Sequence, residues 1–380
     1  CRDPIVGGSL YRNGRWCSRF KPSNFPPKIN MKPFLTILLE SFRGLKSQLI
    51  FWITLGLSFF VALIFLSIGF DDKGPTFFFG MTGYANEALG ANGFARSYFY
   101  KEIFSFWIAG VWLTWIATIL ALISCAPILP NTMTEGGAGM VMTKGVSRLE
   151  IFAAKLVGSL FFVLIQVGLF VLIVFVAFKW RLGEWHPQLF WYIPAVLLIF
   201  TSLYSFLVLI AVKTRSVLTA LLLTFLVWGV SGLLGRVEEG MRGMIMMTEN
   251  GYFNDFHAEE KIAETESEES LEGEDAPIKI KEESNSKPDE DLVKWHGIVK
   301  TIHSFLPKNG PVMDEAKRKF LLADLEKLSL DPKNKEDSEI QMQRDSVDHG
   351  NSSFYTIWSS VLFAAVMFSL AAVSFCRRDY

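Results

Sequence analysis

Five histidines, at positions 186, 257, 296, 303 and 349, are the first candidates for metal or acid–base chemistry in this chain. All five fall outside the long apolar runs. His296 and His303 are seven residues apart, so a helix would place them on one face two turns apart, too far to share one metal without further ligands. Cys1, Cys17, Cys125 and Cys376 form no CxxC pair and no Cys/His cluster, which supports neither a zinc site nor a disulfide framework. HExxH and GxSxG are absent. A phosphate-cradling loop needs GxxxxGK[ST]; between Gly139 and Gly145 the order is Lys before Gly, without the hydroxyl that would hold magnesium. Gln166 is a rare polar side chain inside an apolar run, and Glu102 lies at the mouth of another. Gln166 either lines a pathway or bonds a neighbouring helix. An intramembrane protease, a proton-coupled carrier or a quinone enzyme needs ionisable or metal-binding groups within its spans. Their near absence argues for a chain with no catalytic residues and no metal of its own.

The elements that would position these residues are membrane helices. Half the chain is hydrophobic, with 34 phenylalanines, more apolar surface than one ordinary core can hide. Continuous apolar runs of about 20 residues mark bilayer spans. Six such runs are present: Leu49–Gly69, Ile103–Leu129, Ile151–Phe178, Leu189–Val212, Val217–Gly235 (the shortest) and Phe354–Cys376. They lack the alternation of barrel strands, so the expected fold is an all-α integral membrane protein of six transmembrane helices. Tryptophans 52, 107, 180, 185, 191, 228 and 358 lie mostly towards span ends, as in an aromatic belt.

Positive charge in short loops sets orientation. With the N-terminus inside, the cytoplasmic segments carry ten Lys and Arg (Lys32, Arg43, Lys46, Lys144, Arg148, Lys155, Lys213, Arg215, Arg377, Arg378) against six opposite (Lys73, Arg96, Lys101, Lys179, Arg181, Arg236). Six spans then return the C-terminus to the cytoplasm and leave residues 236–353 as a large extracytoplasmic insertion between helices 5 and 6. From Glu238 to Asp291 there are 18 acidic and 5 basic residues, a net of −13, which excludes a nucleic-acid binder. Residues 249–291 are acidic and Ser-rich and are expected to be disordered. Residues 292–330 regain periodicity in two stripes: Leu292, Trp295, Val299, Ile302 and Phe305, then Phe320, Leu321, Leu325 and Leu328. Two amphipathic helices, lying on the outer membrane surface or capping the bundle, would satisfy both stripes; a small separate domain is the alternative. The loop from Phe70 to Tyr100, with six glycines and prolines between Gly74 and Gly93, is expected to be irregular, with Phe77, Phe78 and Phe79 near lipid. Residues 31–48 read as an interfacial amphipathic helix or as the start of the first span. Residues 1–30 have no apolar core and read as a non-native or disordered leader before Met31, or else as a mature chain lipidated at Cys1.

The segment from Asn131 to Lys155 joins the second and third spans and is polar, Gly-bearing and positive. Its Glu135, Gly136 and Gly139, then Met142-Thr-Lys144-Gly-Val-Ser147-Arg148, then Lys155, resemble the cytoplasmic loop of type-2 ABC transporter permeases. That loop has a glutamate and glycine ahead of a Pro-x-Ser-Arg turn and a closing lysine; Gly145 replaces the proline here. The ending Phe375-Cys-Arg377-Arg378-Asp379-Tyr380 is similar to the Phe-x-Arg-Arg-Asp-Tyr ending of that class, and Ile302-His303-Ser-Phe-Leu-Pro307-Lys308 to a Leu-His-x-x-Leu-Pro-Lys segment of some bacterial members. The resemblance covers residues 31–380 apart from the acidic insert. It implies a permease subunit of an ATP-driven exporter in a bacterial inner membrane, paired with a second permease subunit as homo- or heterodimer. It also implies two ABC ATPase subunits that bind ATP and Mg, so this chain would hold no cofactor. Loop 130–150 would couple to the ATPase, with Glu135, Gly136, Gly139, Lys144, Ser147, Arg148 and Lys155 as its residues. Lipid is the remaining partner. The reading from another class is a membrane-anchored interaction protein with an acidic outer region and no transport.

Overall fold

The computed structural model describes residues 43–44, 49–71, 74–83, 93–132, 147–249, 289–329 and 353–377. The expected interfacial helix over 31–48, apart from Arg43 and Gly44, lies outside them, as do the leader and most of the acidic stretch 249–291.

Among the described residues six helices are long and apolar enough to cross a membrane. The first, α1, is Leu49–Ser67. The second is a continuous helical rod built from α2 (Gly93–Ile103), a π-helical stretch Phe104–Ala117 and α3 (Thr118–Cys125), followed by a short α4 (Ile128–Thr132). The third, α5, is Arg148–Leu182, closed at Gly183, whose φ of 79° suits glycine. A 3-10 turn at Pro187–Trp191 leads into α6, Tyr192–Thr214. Then come α7 (Val217–Glu249), α8 (Glu290–Ser304), α9 (Asn309–Ser329) and the sixth spanning helix, α10 (Ser353–Cys376). The chain is a multi-pass helical membrane protein.

Two elements differ from the sequence reading. The fifth apolar run ends at Gly235, but α7 continues for 33 residues in all, about 50 Å at 1.5 Å per residue, so its polar last turns project beyond a hydrocarbon core of about 30 Å. The loop after α1 is not irregular throughout: β1 (Gly69–Asp71), β2 (Gly74–Phe77) and β3 (Thr82–Gly83) form a small antiparallel sheet. Its turn sets Phe78 and Phe79 at positive φ, with both rings exposed.

The bundle is organised around α6, which is the most enclosed span and packs against α5, α7, α9 and α10. Small side chains let the backbones approach, the device that replaces hydrophobic collapse in lipid. Ser202 and Ser205 of α6 are fully buried, and Ser202 Oγ donates to Ser360 O of α10 at 3.4 Å. Ser159 of α5 and Tyr204 of α6 share a hydroxyl hydrogen bond of 2.9 Å. The opposite faces of the helices carry exposed Trp52, Phe59, Phe60, Leu222, Leu226 and Leu362, apolar surface that only lipid or another membrane helix would cover. The helix order gives the bundle two ends. The loop end holds the start of α5, the α6–α7 link and the end of α10; the cap end holds the sheet, the end of α5 and the pair α8–α9.

Candidate functional site

At the loop end, residues 133–146, and with them Glu135, Gly136, Gly139 and Lys144, lie outside the described residues. What is described is where that loop enters α5. Ser147 is the N-cap, with extended backbone, and accepts from the Glu150 N–H at 3.2 Å, while Glu150 Oε2 accepts from the Ser147 N–H at 3.2 Å. This reciprocal box satisfies two amides that the helix leaves unpaired. Arg148, the first helical residue, donates from Nη1 to Cys376 O, the last residue of α10, at 3.4 Å. One turn on, the Phe152 and Phe375 rings lie 5.6 Å apart. The entry to α5 is therefore tied to the exit of α10, with the guanidinium at the negative end of that helix. Lys155, the closing residue of the motif, lies two turns into α5, where its carbonyl accepts from Ser159 Oγ at 3.0 Å.

Gln166 lies in the middle of α5, 5 % exposed, with neither amide atom hydrogen-bonded among the described residues. It borders a cavity of about 10 Å³ together with Ser58 of α1 and Thr118 of α3. That volume is near the ~10–15 Å³ that one water needs. The neighbouring second rod is π-helical over Phe104–Ala117, and the side-chain hydroxyls of Thr114 and Thr118 donate to the carbonyls of Ala109 and Leu113 at 2.8 and 2.9 Å. π-Helical turns are rare and are frequent at functional sites.

The cap end carries a polar clamp that the sequence reading missed. His303 Nδ1 donates to Glu238 Oε2 at 2.5 Å, joining α8 to the projecting part of α7, beyond the apolar run. The hydrogen bond from His303 holds the Glu238 carboxyl below the ordinary carboxylate range, against the opposing effect of burial. Two turns earlier on α7, Ser231 Oγ donates to Pro307 O at 2.6 Å. Lys308 Nζ sits 3.8 Å from the centre of the Tyr355 ring of α10. The segment Ile302–Lys308, noted for its resemblance, is thus where the outer helices are fastened down. Beyond it Phe320 of α9 is fully buried among Phe104, Phe178, Tyr192 and His186, with Lys101 Nζ 4.9 Å from its ring centre. Glu102 and Lys317 pair at 3.6 Å. Both helices pack against the spanning helices, α8 on α7 and α9 on α6.

The stripe on α8 is corrected. Leu292 and Val299 are half-buried, but Trp295, Ile302 and Phe305 face outward, and the buried contact is His303. A buried, ionised Glu238 needs a partner, so the face of α8 that carries His303 turns inward. The seven-residue spacing of Ser231 and Glu238, one helix face, was the available signal. His303 and Ser231 of this clamp also line a second cavity, of about 280 Å³, between the π-helical stretch, α7 and the start of α9. Its wall includes the indoles of Trp115 and Trp228, stacked at 4.7 Å. Among the described residues no group of three or more His, Cys, Asp or Glu is placed to hold a metal ion. No protein-family model, no curated protein and no solved structure matches the chain.

Proposed function

We propose that this chain is the membrane-spanning permease subunit of an ATP-driven ABC transporter, an exporter, with ATP hydrolysis in a separate subunit bound at the loop end. The observation that carries the reading is the Arg148–Cys376 tie. A force applied to the loop before Ser147 reaches α5 through a rigid capped start and α10 through the guanidinium at the same moment. A coupling element needs that property: a short, exposed segment whose displacement moves two spans together. The six spans and the basic loop end support the same reading, with N- and C-termini cytoplasmic in a bacterial inner membrane. A second permease subunit would cover part of the outward apolar surface of the bundle.

The test is purification of the tagged full chain from its native membrane in mild detergent, with identification of co-purifying proteins and an ATPase assay. A stoichiometric ATPase is expected. Changing Glu135 and Arg148 together to Ala should release it or leave its hydrolysis uncoupled from transport. If no ATPase is recovered in several detergents, the interaction-protein reading replaces this one.

A further inference from the structure

The 280 Å³ cavity at the cap end is close to the lower limit of ligand pockets, about 300 Å³, and far larger than one water requires. Its lining, which also includes His303 and the Asp314 carboxylate, combines three functions that a ligand could match. Asn309, the first residue of α9, is 5 % exposed, and its Nδ2 has no hydrogen-bond partner among the described residues. A buried amide donor without an acceptor is costly, and in native proteins it marks a place for something else. On the other side, α7 offers Arg236 and Glu239, one turn apart, and neither forms an ion pair or side-chain hydrogen bond among the described residues. The third function is the stacked face of Trp115 and Trp228, an apolar wall. The cavity stays open because Gly232 has no side chain there; a Cβ at that position would meet nothing within 4 Å.

We infer that this cavity binds a small zwitterion attached to an apolar group: an anionic centre towards Arg236 and the Asn309 amide, an ammonium towards Glu239, and the apolar part on the indole pair. A cation alone would leave Arg236 and the Asn309 amide unmatched, and an anion alone would leave Glu239 unmatched and face the Asp314 carboxylate that also lines the cavity. The positive end of α9, which begins at Asn309, adds to the pull on the anionic centre. The level of the site, where the apolar run of α7 ends, is where a membrane presents such head groups. The chemistry is shared by a zwitterionic phospholipid and by a free amphipathic zwitterion. The inference rests on the cavity and not on the permease reading.

The experiment is calorimetric titration of the purified full chain in an uncharged maltoside detergent. The probes are dihexanoyl phosphatidylethanolamine, dihexanoyl phosphatidylglycerol, a hexyl trimethylammonium salt and glycerophosphoethanolamine. Saturable binding of the zwitterionic lipid is expected, with roughly ten-fold preference over the anionic and the cationic probes, the worth of one charge-assisted hydrogen bond. Arg236→Gln should erase the preference over the cation and Glu239→Gln the preference over the anion; both residues are exposed, so neither change threatens the fold. Gly232→Leu should fill the cavity and abolish binding, with the thermal unfolding curve unchanged. Binding of glycerophosphoethanolamine as tight as that of the lipid assigns the site to a free zwitterion, and binding only with the tails assigns it to lipid; either supports the inference. Equal affinity for all three head groups, no saturable binding, or retained binding in a folded Gly232→Leu protein overturns it.

Discussion

Gln166 and His303 are polar side chains of equal burial and opposite circumstance. His303 has its carboxylate, whereas Gln166 has no partner for either amide atom among the described residues. Methionine is unbranched and of similar length to glutamine without its unmet donors and acceptor, so Gln166→Met should raise stability by about 1 kcal/mol. A higher melting temperature in detergent is the readout; a lower one would mean that a water in the adjoining cavity satisfies the amide. His303→Ala should act the other way and strand the Glu238 carboxylate, at a cost of about 2 kcal/mol. Faster amide exchange over 290–304 would report it, and Glu238→Gln in the same chain should recover part of the loss. The clamp also has a pH dependence of known sign. Glu238 has a folded-state value below its unfolded one, so its contribution is fully present above the ordinary carboxylate range and is lost as pH falls through the folded-state value. The groups acting on it are His303, Lys308 and His296. The protection factor over 290–304, corrected for the intrinsic pH dependence of amide exchange, should therefore fall in acid in the native protein and lose that dependence in Glu238→Gln.

Elements here were assigned by period and corrected by partners. In α9 Val312, Met313, Ala316 and Phe320, four buried residues at helical spacing, seat the helix in the aromatic mouth of the bundle; Leu325 and Leu328 of the expected stripe have side chains outside those described. Truncating Phe320 to Ala removes a ring from a packed cluster and should cost about 3–5 kcal/mol. Loss of α9 protection in amide exchange, with α5 and α6 unchanged, would place that cost in the cap; uniform loss across the bundle would show that the cap and the spans unfold as one unit. The apolar stripe of α8 was equally visible in sequence, yet Trp295, Ile302 and Phe305 point away from the protein. Hydrophobic period tells which residues share a face. In a membrane protein it does not tell whether that face meets protein or lipid, because both are apolar.

For the whole molecule, the acidic stretch makes no contribution to the proposed coupling path, which runs from the loop end through α5 and α10. Deleting residues 255–291 should leave ATPase recruitment and stimulated hydrolysis within about two-fold of the full chain, a change under 0.5 kcal/mol; abolished function after that deletion would favour an interaction protein. The sequence by itself determined that the chain spans a membrane and roughly where, since a run of apolar residues about 20 long has no cheaper environment than lipid. The start of α5 is set just as locally, by the capping box of Ser147 and Glu150, although the apolar run alone pointed to Ile151. Only the tertiary structure decided that Arg148 meets Cys376, 228 residues away in the chain. The same holds for the π-helical winding of the second rod, the pairing of His303 with Glu238, and the opening of a cavity beside Trp115 and Trp228. Each of these depends on how helices settle against one another at small residues such as Ser202 and Gly235. In lipid that choice is made by close packing and the pairing of buried polar groups, neither of which leaves a periodic trace in the chain.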